Sequence, residues 1–230
     1  MIPCVLFANL PNVSNVSNKD GVATMEKGML LIISGPSGSG KGTVTKKLHP
    51  EQGFALSISM TTRMPRAGEV DGVDYFFCNV DEFFAVRDAD GFLEHATFSG
   101  NYYGTLLSYV DQQISEGCTV VLEIDVDGAL QVKAKYPEAV LVFLMPPTFG
   151  QLRLRLENRG TEDEDEIERR FRRAWDEVAV LPKYDYLVIN DNIDEAVAQI
   201  NLIVTAEKLK PRRSQERISH FHDNVNGENK

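Results

Sequence analysis

The apolar residues of this chain fall into short continuous runs, separated by longer segments in which they recur every three or four positions. The clearest runs are Met29–Ile33, Cys118–Ile124, Ala139–Met145 and Tyr186–Ile189. Runs of this length are typical of strands that are buried on both faces, and the segments between them have helical periodicity. The alternation predicts an α/β fold in which a mostly parallel sheet carries helices on both faces.

One segment, residues 59–103, does not follow this alternation. It is preceded by Phe54–Ser59, where apolar and polar residues alternate and predict a single strand. Within the segment we predict short strands at Tyr75–Phe77 and on both sides of a turn at Ser99–Asn101, and a helix capped by Asp81. Because it has short strands and no long helix, we interpret the segment as a small mixed-sheet insert on the parallel core.

Both ends of the chain are polar and differ from the rest. Residues 1–27 are rich in Asn, Ser and Val without helical periodicity, which predicts a poorly ordered extension. Residues 211–230 form a polar tail that we expect to be frayed. The other predicted helices are Leu106–Glu116, Phe149–Asn158, a helix begun by a Thr161–Glu164 capping box and ending near Val180, and a final helix from about Ile193.

A glycine-rich loop follows the first apolar run and leads into a short helix. It consists of Gly35, Pro36, Ser37, Gly38, Ser39, Gly40, Lys41, Gly42 and Thr43. The spacing G-x-x-x-x-G-K between a strand and a helix is typical of a phosphate-binding loop. Glycines let backbone amides turn toward an anion, and Lys41 supplies a charge for the β- and γ-phosphates. The hydroxyl comes one position later than usual, at Thr43, so which hydroxyl approaches Mg²⁺ stays open.

Composition and charge narrow the classes of function. The net charge of −10 argues against non-specific binding to nucleic acid, which needs a basic surface. Cys4, Cys78 and Cys118 are odd in number and far apart, which predicts neither a disulfide framework nor a zinc site and fits a reducing cytoplasm. No apolar run approaches the roughly 18 residues of a membrane span, so no membrane partner is expected.

The insert contains residues suited to a second phosphorylated ligand. Arg63 and Arg66 are separated by two residues, and Tyr75 and Tyr103 add two phenols. Arginine binds phosphate in a bidentate manner, and a phenol donates one further hydrogen bond. Together these residue types indicate a site for the phosphate of a second substrate.

Glu94 is a candidate for recognising guanine. The base presents N1–H and N2–H₂ side by side, so one carboxylate accepts both hydrogen bonds, whereas adenine presents an acceptor at N1. Ser59 and Thr105 are polar residues of the same insert that could assist. Taken singly, each residue has another explanation, since Glu94 could lie on the surface, the arginines could be solvated and Asp125 could only cap a helix.

Several motifs in order along the chain resemble the guanylate kinase family. They are the pattern from Ser59 through Thr62, Arg63, Arg66, Glu69, Gly72 and Tyr75 to Phe77, then Phe92–Glu94, Phe98–Gly104, Glu123–Asp125, Arg159–Thr161 and Asn190–Asp191. The resemblance covers about residues 28–209. It implies the fold of a P-loop nucleoside monophosphate kinase, in which a parallel core carries a small α/β insert for GMP and a helical lid.

The resemblance also implies roles for individual residues and an arrangement of domains. ATP would be bound by Gly35–Thr43 and Asn190, and Mg²⁺ by Thr43 and Asp125, mostly through water. GMP or dGMP would be bound by Ser59, Arg63, Arg66, Tyr75, Glu94, Tyr103, Thr105 and Asp125. Catalysis would rest on Lys41, Arg63, Arg159 and Arg170. The implied core comprises residues 28–56, 108–147 and 181–210, the insert residues 57–107 and the lid residues 148–180.

Two alternatives accompany the expected reaction, ATP + GMP = ADP + GDP. The first is a kinase for another nucleoside monophosphate, which Glu94 and Ser59 disfavour. The second is a guanylate-kinase-like peptide-binding module without catalysis, in which the phosphate loop is typically degraded. Here Gly40 and Lys41 are intact. A monomer and a homo-oligomer fit the sequence equally well. Asp127 departs from the Gln of many relatives and adds an acid near the expected metal position.

Overall fold

The computed structural model describes residues 27–48, 53–157, 164–214 and 218–219. The strands are β1 (Met29–Ser34), β2 (Phe54–Leu56), β3 (Ser59–Thr61), β4 (Phe76–Phe77), β5 (Phe92–Phe98), β6 (Asn101–Leu106), β7 (Thr119–Glu123), β8 (Val140–Met145) and β9 (Tyr186–Ile189). The helices are α1 (Lys41–Thr45), α2 (Val80–Asp88), α3 (Leu107–Ser115), α4 (Val126–Lys135), α5 (Phe149–Glu157), α6 (Glu164–Ala179) and α7 (Ile193–Lys208), with 3₁₀ turns at Leu181–Lys183 and Pro211–Arg213. None of the helices formed by these residues is long and apolar enough to cross a membrane.

Five strands form the predicted parallel sheet, in the order β2-β7-β1-β8-β9. Every pairing between neighbours is parallel. The central strand β1 is buried along its whole length, which explains why its sequence is continuously apolar rather than alternating. The predicted α/β fold class is therefore confirmed.

Side chains of β1 alternate between two cores, one on each face of the sheet. Leu31 and Ile33 pack with residues of α1 and α7, including Val44 and Ile200. Leu30 and Ile32 pack on the opposite face with residues of α3 and α4. Because neighbouring side chains on a strand point to opposite faces, a strand between two helical layers must be apolar at every position.

Four strands form a second, mixed sheet in the order β4-β3-β6-β5. The β3–β4 pair is parallel, and the β3–β6 and β5–β6 pairs are antiparallel. The turn between β5 and β6 contains Ser99 and Gly100, both with positive φ, as expected for the turn predicted from the sequence. The second sheet agrees with the predicted mixed-sheet insert, while the boundaries proposed for the domains stay predictions.

The strand predicted at Phe54–Ser59 is wrong in its extent, because the chain changes sheets inside it. Phe54–Leu56 pairs with β7 of the parallel sheet, and Ser59 begins the strand that pairs with β6 of the second sheet. The amide of Ser57 still donates to the carbonyl of Val121 at 2.9 Å. The alternation of apolar and polar residues predicts an extended backbone, but it does not identify the strand with which that backbone pairs.

The predicted cap of α2 is also corrected. Asn79, rather than Asp81, is the N-cap, since its side chain accepts from the Glu82 amide at 2.8 Å. Glu82 in turn accepts from the Asn79 amide at 2.9 Å, which completes a capping box. Asp81 lies in the first turn of the helix.

The beginning of the polar tail is docked, contrary to the prediction that it is frayed. Arg213 donates from Nη2 to the Glu138 carbonyl at 2.6 Å and lies 3.5 Å from the buried carboxylate of Glu207. The small number of apolar residues in this segment cannot reveal the docking, because the contact is an ion pair. Residues 215–217 and 220–230, like the extension 1–26 and the Thr161 capping position, lie outside the described residues.

Candidate active site

The phosphate loop is shaped by close backbone approach. At Gly35, a Cβ would lie 2.1 Å from the carbonyl oxygen of Leu144 in β8. At Gly40, which has φ +91° and caps α1, a Cβ would lie 2.4 Å from Nδ2 of Asn190. Both positions therefore require glycine for space and for conformation, since Gly35 also has a positive φ of +141°. These contacts agree with the glycine spacing expected of a phosphate-binding loop.

Lys41 lies over the loop that precedes it. Its Nζ donates to the carbonyls of Gly35 at 2.6 Å and Pro36 at 3.2 Å. The ammonium group is thus held where a phosphate in the loop would meet it. The helix that follows has only five residues, so Lys41 and the loop amides supply more of the positive potential than its dipole does.

Asn190 supports the loop from the side of the core. It is buried, and its Nδ2 donates to the Ser39 carbonyl at 2.8 Å. Arg155 of α5 joins the same cluster, donating to the Asn190 carbonyl at 2.8 Å. The structure therefore gives Asn190 a role in holding the loop, and its contact with ATP stays a prediction.

Two hydroxyl groups at α1 have different surroundings. Thr43, the predicted metal ligand, is exposed. Thr45 is buried, and its Oγ1 donates to Oε2 of Glu123 at 2.9 Å. Glu123 ends β7, whose neighbour β1 leads into the loop. The hydroxyl and the acid lie together at the carboxyl edge of the sheet, where α/β proteins bind ligands.

An open cleft of about 340 Å³ lies between this edge and the second sheet. Thr45, Glu123 and Ile124 line it on the side of the parallel sheet. Ser59, Tyr75 and Thr105 are among the residues that line it on the other side. The predicted acceptor residues Ser59, Tyr75 and Thr105 therefore border the same space as Thr45, which belongs to the helix that follows the phosphate loop.

Glu94 is a buried carboxylate with a hydrogen-bond donor beside it. It is 8% exposed, and Thr105 donates to its Oε1 at 2.7 Å. Ser59 pairs with Thr105 in the β3–β6 register, so all three predicted base contacts lie on adjoining strands. Burial raises the pKa of Glu94; the Thr105 hydrogen bond lowers it in part, and the charge of Asp125 raises it further.

The predicted phosphate-binding residues of the insert form a second cluster. Arg63 lies 5.3 Å from the ring centre of Tyr75, whose ring lies 6.1 Å from that of Tyr103. Glu69 accepts from Arg63 Nη2 at 2.8 Å and from the Arg66 amide at 2.7 Å. The hydrogen bond with Glu69 raises the pKa of Arg63, and the same bond lowers the pKa of Glu69. The side chain of Arg66 is exposed.

Helices α5 and α6 pack against each other and place two arginines on the core. Arg170 Nη1 donates to Ser37 Oγ in the phosphate loop at 3.2 Å. Arg173, one turn later, donates from Nη2 to Oδ2 of Asp125 at 3.1 Å. Arg159, the other predicted lid arginine, lies outside the described residues.

Comparisons with known proteins decide the family. The guanylate kinase family model matches residues 27–207, which is more than half of the chain. The chain belongs to the guanylate kinase family. Guanylate kinase of Caldanaerobacter subterraneus subsp. tengcongensis is 50% identical over 192 residues, covering 83% of this chain and 93% of the relative. Guanylate kinase of Clostridium acetobutylicum is 48% identical over 193 residues, covering 84% and 92%.

A solved structure agrees with this membership of the guanylate kinase family. The crystal structure of guanylate kinase from Anaplasma phagocytophilum has a TM-score of 0.64 and 32% identity to this chain. The match covers 82% of this chain and 90% of that one. The fold predicted from the sequence resemblance is therefore confirmed by an experimental relative.

The residues present suit a magnesium ion in this guanylate kinase family member. Mg²⁺ usually keeps several waters and takes only one or two carboxylates together with substrate phosphates. Glu123 offers such a carboxylate at the end of β7, beside the Thr45 hydroxyl, and Asp125 offers a second one as the N-cap of α4. Among the described residues, no group of three or more acidic, His or Cys side chains is arranged to hold a metal ion.

Four residues at this site had no role in the sequence analysis. Thr45 and Arg173 form hydrogen bonds with residues far away in the sequence, Glu123 and Asp125. Glu69 and Glu177 form theirs with arginines nearby in the sequence, Arg63 and Arg173. Glu69 was recognised as part of a motif, and its spacing from Arg63 was the available signal. Neither the length nor the charge pattern of α6 distinguishes Arg173 from the arginines beside it.

Proposed function

We propose that the protein transfers the γ-phosphoryl group of ATP to GMP, giving ADP and GDP. The observation that carries this proposal is the shared cleft. It is bordered by Thr45 and Glu123 behind the phosphate loop and by Ser59, Tyr75 and Thr105 of the second sheet. A phosphorylated acceptor bound by the second sheet would thus face the helix that follows the phosphate loop. The names of the similar proteins support guanylate as the acceptor.

The acceptor phosphate needs no general base. A phosphate monoester has a second pKa near 6, so it is largely ionised at neutral pH. We infer that Arg63 and Arg66 bind this phosphate with Tyr75 and Tyr103, and that Glu94 accepts hydrogen bonds from guanine with Ser59 and Thr105 beside it. Binding GMP would require Arg63 to exchange part of its contact with Glu69 for the phosphate.

The donor phosphates would be bound by the loop amides and Lys41. The obstacle to the reaction is the repulsion between two polyanions that must meet in line. Lys41, Arg170 and Arg159 would neutralise the charge that develops on the transferring group, while Asp125 orients the acceptor side. Bound Mg²⁺ would supply further charge neutralisation between the β- and γ-phosphates, held by Asp125 and by Thr43 or Thr45, mostly through water.

The lid would exclude water, which otherwise competes as an acceptor. We assign this role to residues 148–180, which include α5 and α6, and the binding of GMP to residues 57–107. A cytoplasmic location, the absence of a nucleic-acid or membrane partner, and a monomeric or homo-oligomeric state stay predictions. The non-catalytic peptide-binding module is disfavoured, since Lys41 is in place over an intact loop.

The test is release of ADP from MgATP with GMP, dGMP, AMP, CMP, UMP or no acceptor. We expect turnover with GMP and dGMP and little above background with the others. Equal turnover with AMP would still support a nucleotide kinase, but it would contradict the role of Glu94 in recognising guanine. No turnover with any acceptor, in a folded protein whose thermal midpoint does not rise with GMP, would favour the binding module.

A further inference from the structure

Arg173 connects helix α6 to the core at a position different from that of Arg170. Its Nη2 lies 3.1 Å from Oδ2 of Asp125 and 3.8 Å from Oδ2 of Asp127. Its Nε donates to Oε1 of Glu177, one turn further along the same helix, at 2.9 Å. One guanidinium thus joins two acids at the start of α4 to an acid of α6.

Both ends of this connection are fixed. Asp125 is the N-cap of α4, and its Oδ1 accepts from the Gly128 amide at 2.9 Å, which leaves Oδ2 for Arg173. Glu177 is 9% exposed, and it holds the guanidinium from the α6 side. Because each acid is constrained by its own element, Arg173 links one turn of α6 to the start of α4.

Arg170 and Arg173 are three residues apart and therefore lie on one face of α6. Arg170 reaches Ser37 on the donor side of the site, and Arg173 reaches Asp125 on the acceptor side. The helix consequently contacts the core at two points, one for each substrate region. The contact of Arg173 with Asp125 limits how far α6 can rotate or shift, and so limits the movement of Arg170 away from Ser37.

We propose that Arg173 is a positioning residue of this enzyme, which holds Arg170 at the phosphate loop by pairing α6 with Asp125 and Asp127. The proposal rests on the proposed phosphoryl transfer, in which Arg170 acts on the transferring group. It also gives Asp127 a function as the second acid of the contact. Arg173 itself touches neither the phosphate loop nor the transferring group in this arrangement.

The contact is suited to positioning rather than to stability. The side chains of Arg173, Asp125 and Asp127 are 57%, 49% and 80% exposed, and exposed ion pairs contribute little to the free energy of unfolding. By contrast, a displacement of about 1 Å in a catalytic group can reduce a rate about 10²-fold. Loss of Arg173 should therefore be visible in turnover before it is visible in thermal unfolding.

The first experiment compares Arg173→Ala with Arg172→Ala. Arg172 is the matched control, since it carries the same charge, is 77% exposed and pairs with Glu168 on its own helix. We expect Arg173→Ala to lower kcat about 10-fold with KM for GMP changed less than about twofold, and Arg172→Ala to leave both within about twofold. Arg173→Lys should have a higher kcat than Arg173→Ala, because lysine keeps the positive charge. It should stay below the wild type, because lysine lacks the planar guanidinium that can donate to two carboxylates at once.

A double-mutant cycle tests the partner. Asp127→Asn should lower kcat in the wild type and have no further effect in Arg173→Ala, since the interaction it weakens is already gone. The wild-type kcat should also approach that of Arg173→Ala as ionic strength rises, because salt screens an exposed pair. Additive effects, or equal losses in the two arginine variants, would overturn the proposal, as would a kcat loss matched by a lower thermal midpoint.

Hydrogen exchange of the α6 amides provides a readout that does not depend on turnover. Arg173→Ala should increase exchange in α6 and leave the strands of the parallel sheet unchanged, whereas Arg172→Ala should alter neither. An unchanged α6 would overturn the positioning role whatever the acceptor. If the protein fails to phosphorylate GMP but Arg173→Ala still increases exchange in α6, the proposed function is contradicted. The contact between Arg173 and Asp125 is then still supported.

Discussion

Lys41 and Glu94 represent two kinds of charged residue in this site. Lys41 is held by two backbone carbonyls of its own loop, so its position depends on local chain geometry. Glu94 is buried between strands and depends on Thr105, eleven positions away. Both roles were predicted from residue type, but only the first could be deduced from neighbouring residues.

Replacing Lys41 with Met should remove turnover while leaving the fold intact. The loop glycines and Asn190 still define the backbone, but the charge for the β- and γ-phosphates is lost, and we expect kcat to fall at least about 10²-fold. ADP release measures the effect, and far-ultraviolet circular dichroism checks the fold. Lys46→Met is the matched control, since Lys46 is exposed after α1. Near-wild-type activity in Lys41→Met would contradict the mechanism.

Replacing Glu94 with Gln should reduce the preference for GMP over AMP and change the pH dependence of GMP binding. Burial raises the pKa of Glu94 above the usual glutamate value of about 4.3. As the pH falls, Glu94 is therefore protonated earlier than an exposed glutamate. The protonated acid cannot accept both hydrogen bonds from guanine, and KM for GMP should rise as pH falls.

The GMP phosphate also titrates, but it does so with both proteins. The difference between the wild-type and Glu94→Gln pH profiles therefore isolates the carboxylate. We expect the acid-dependent rise in KM to be smaller in Glu94→Gln. Superimposable profiles, or an unchanged preference for GMP, would refute the role assigned to Glu94.

At the scale of single elements, caps and pairing partners decide where helices and strands begin. Helix α2 begins at a capping box of Asn79 and Glu82, although Asp81 is an equally good capping residue by type. Phe54–Ser59 is extended throughout, yet it contributes to two sheets. In both cases the sequence identifies the element and leaves its boundary open.

Replacing Asn79 with Ala should lower the free energy of unfolding by about 1 kcal/mol, because the Glu82 amide loses its acceptor. Asp81→Ala should lower it by only about 0.5 kcal/mol, since Asp81 interacts with the helix dipole alone. Urea denaturation monitored by circular dichroism measures both values. A larger loss in Asp81→Ala would favour the cap predicted from the sequence.

At the scale of the whole molecule, a buried charge joins the end of the chain to the core. Glu207 of α7 is 1% exposed and accepts from the Tyr186 hydroxyl of β9 at 2.7 Å. Arg213, in the following 3₁₀ turn, lies beside the same carboxylate and also contacts Glu138. A buried carboxylate needs such partners, so the first residues of the polar tail belong to the folded structure.

Replacing Arg213 with Ala should lower the free energy of unfolding by about 1–3 kcal/mol, since it removes a partner from a buried charge. Arg212→Ala is the matched control, because that side chain is 52% exposed and lies 3.9 Å from Glu207. Its loss should be below about 1 kcal/mol. Thermal or urea unfolding measures both, and equal effects would contradict the docking of the tail.

The sequence by itself determined the parallel α/β core, the phosphate loop and the family. Apolar runs, glycine spacing and motif order are local properties, and a strand such as β1 must be apolar if helices cover both its faces. It also predicted Glu94 and Arg63 as ligands by residue type, and these two roles stay predictions.

Only the tertiary structure decided which residues meet. Thr45 with Glu123, Glu69 with Arg63, Arg173 with Asp125 and Arg213 with Glu207 are pairs of charged or polar side chains. The first and third of these pairs join segments far apart in the chain, and the other two join residues six positions apart. Their residue types are common on solvated surfaces, so no local pattern distinguishes them. The physical reason is that burial and partner distance are set by the packing of elements, which a one-dimensional pattern does not contain.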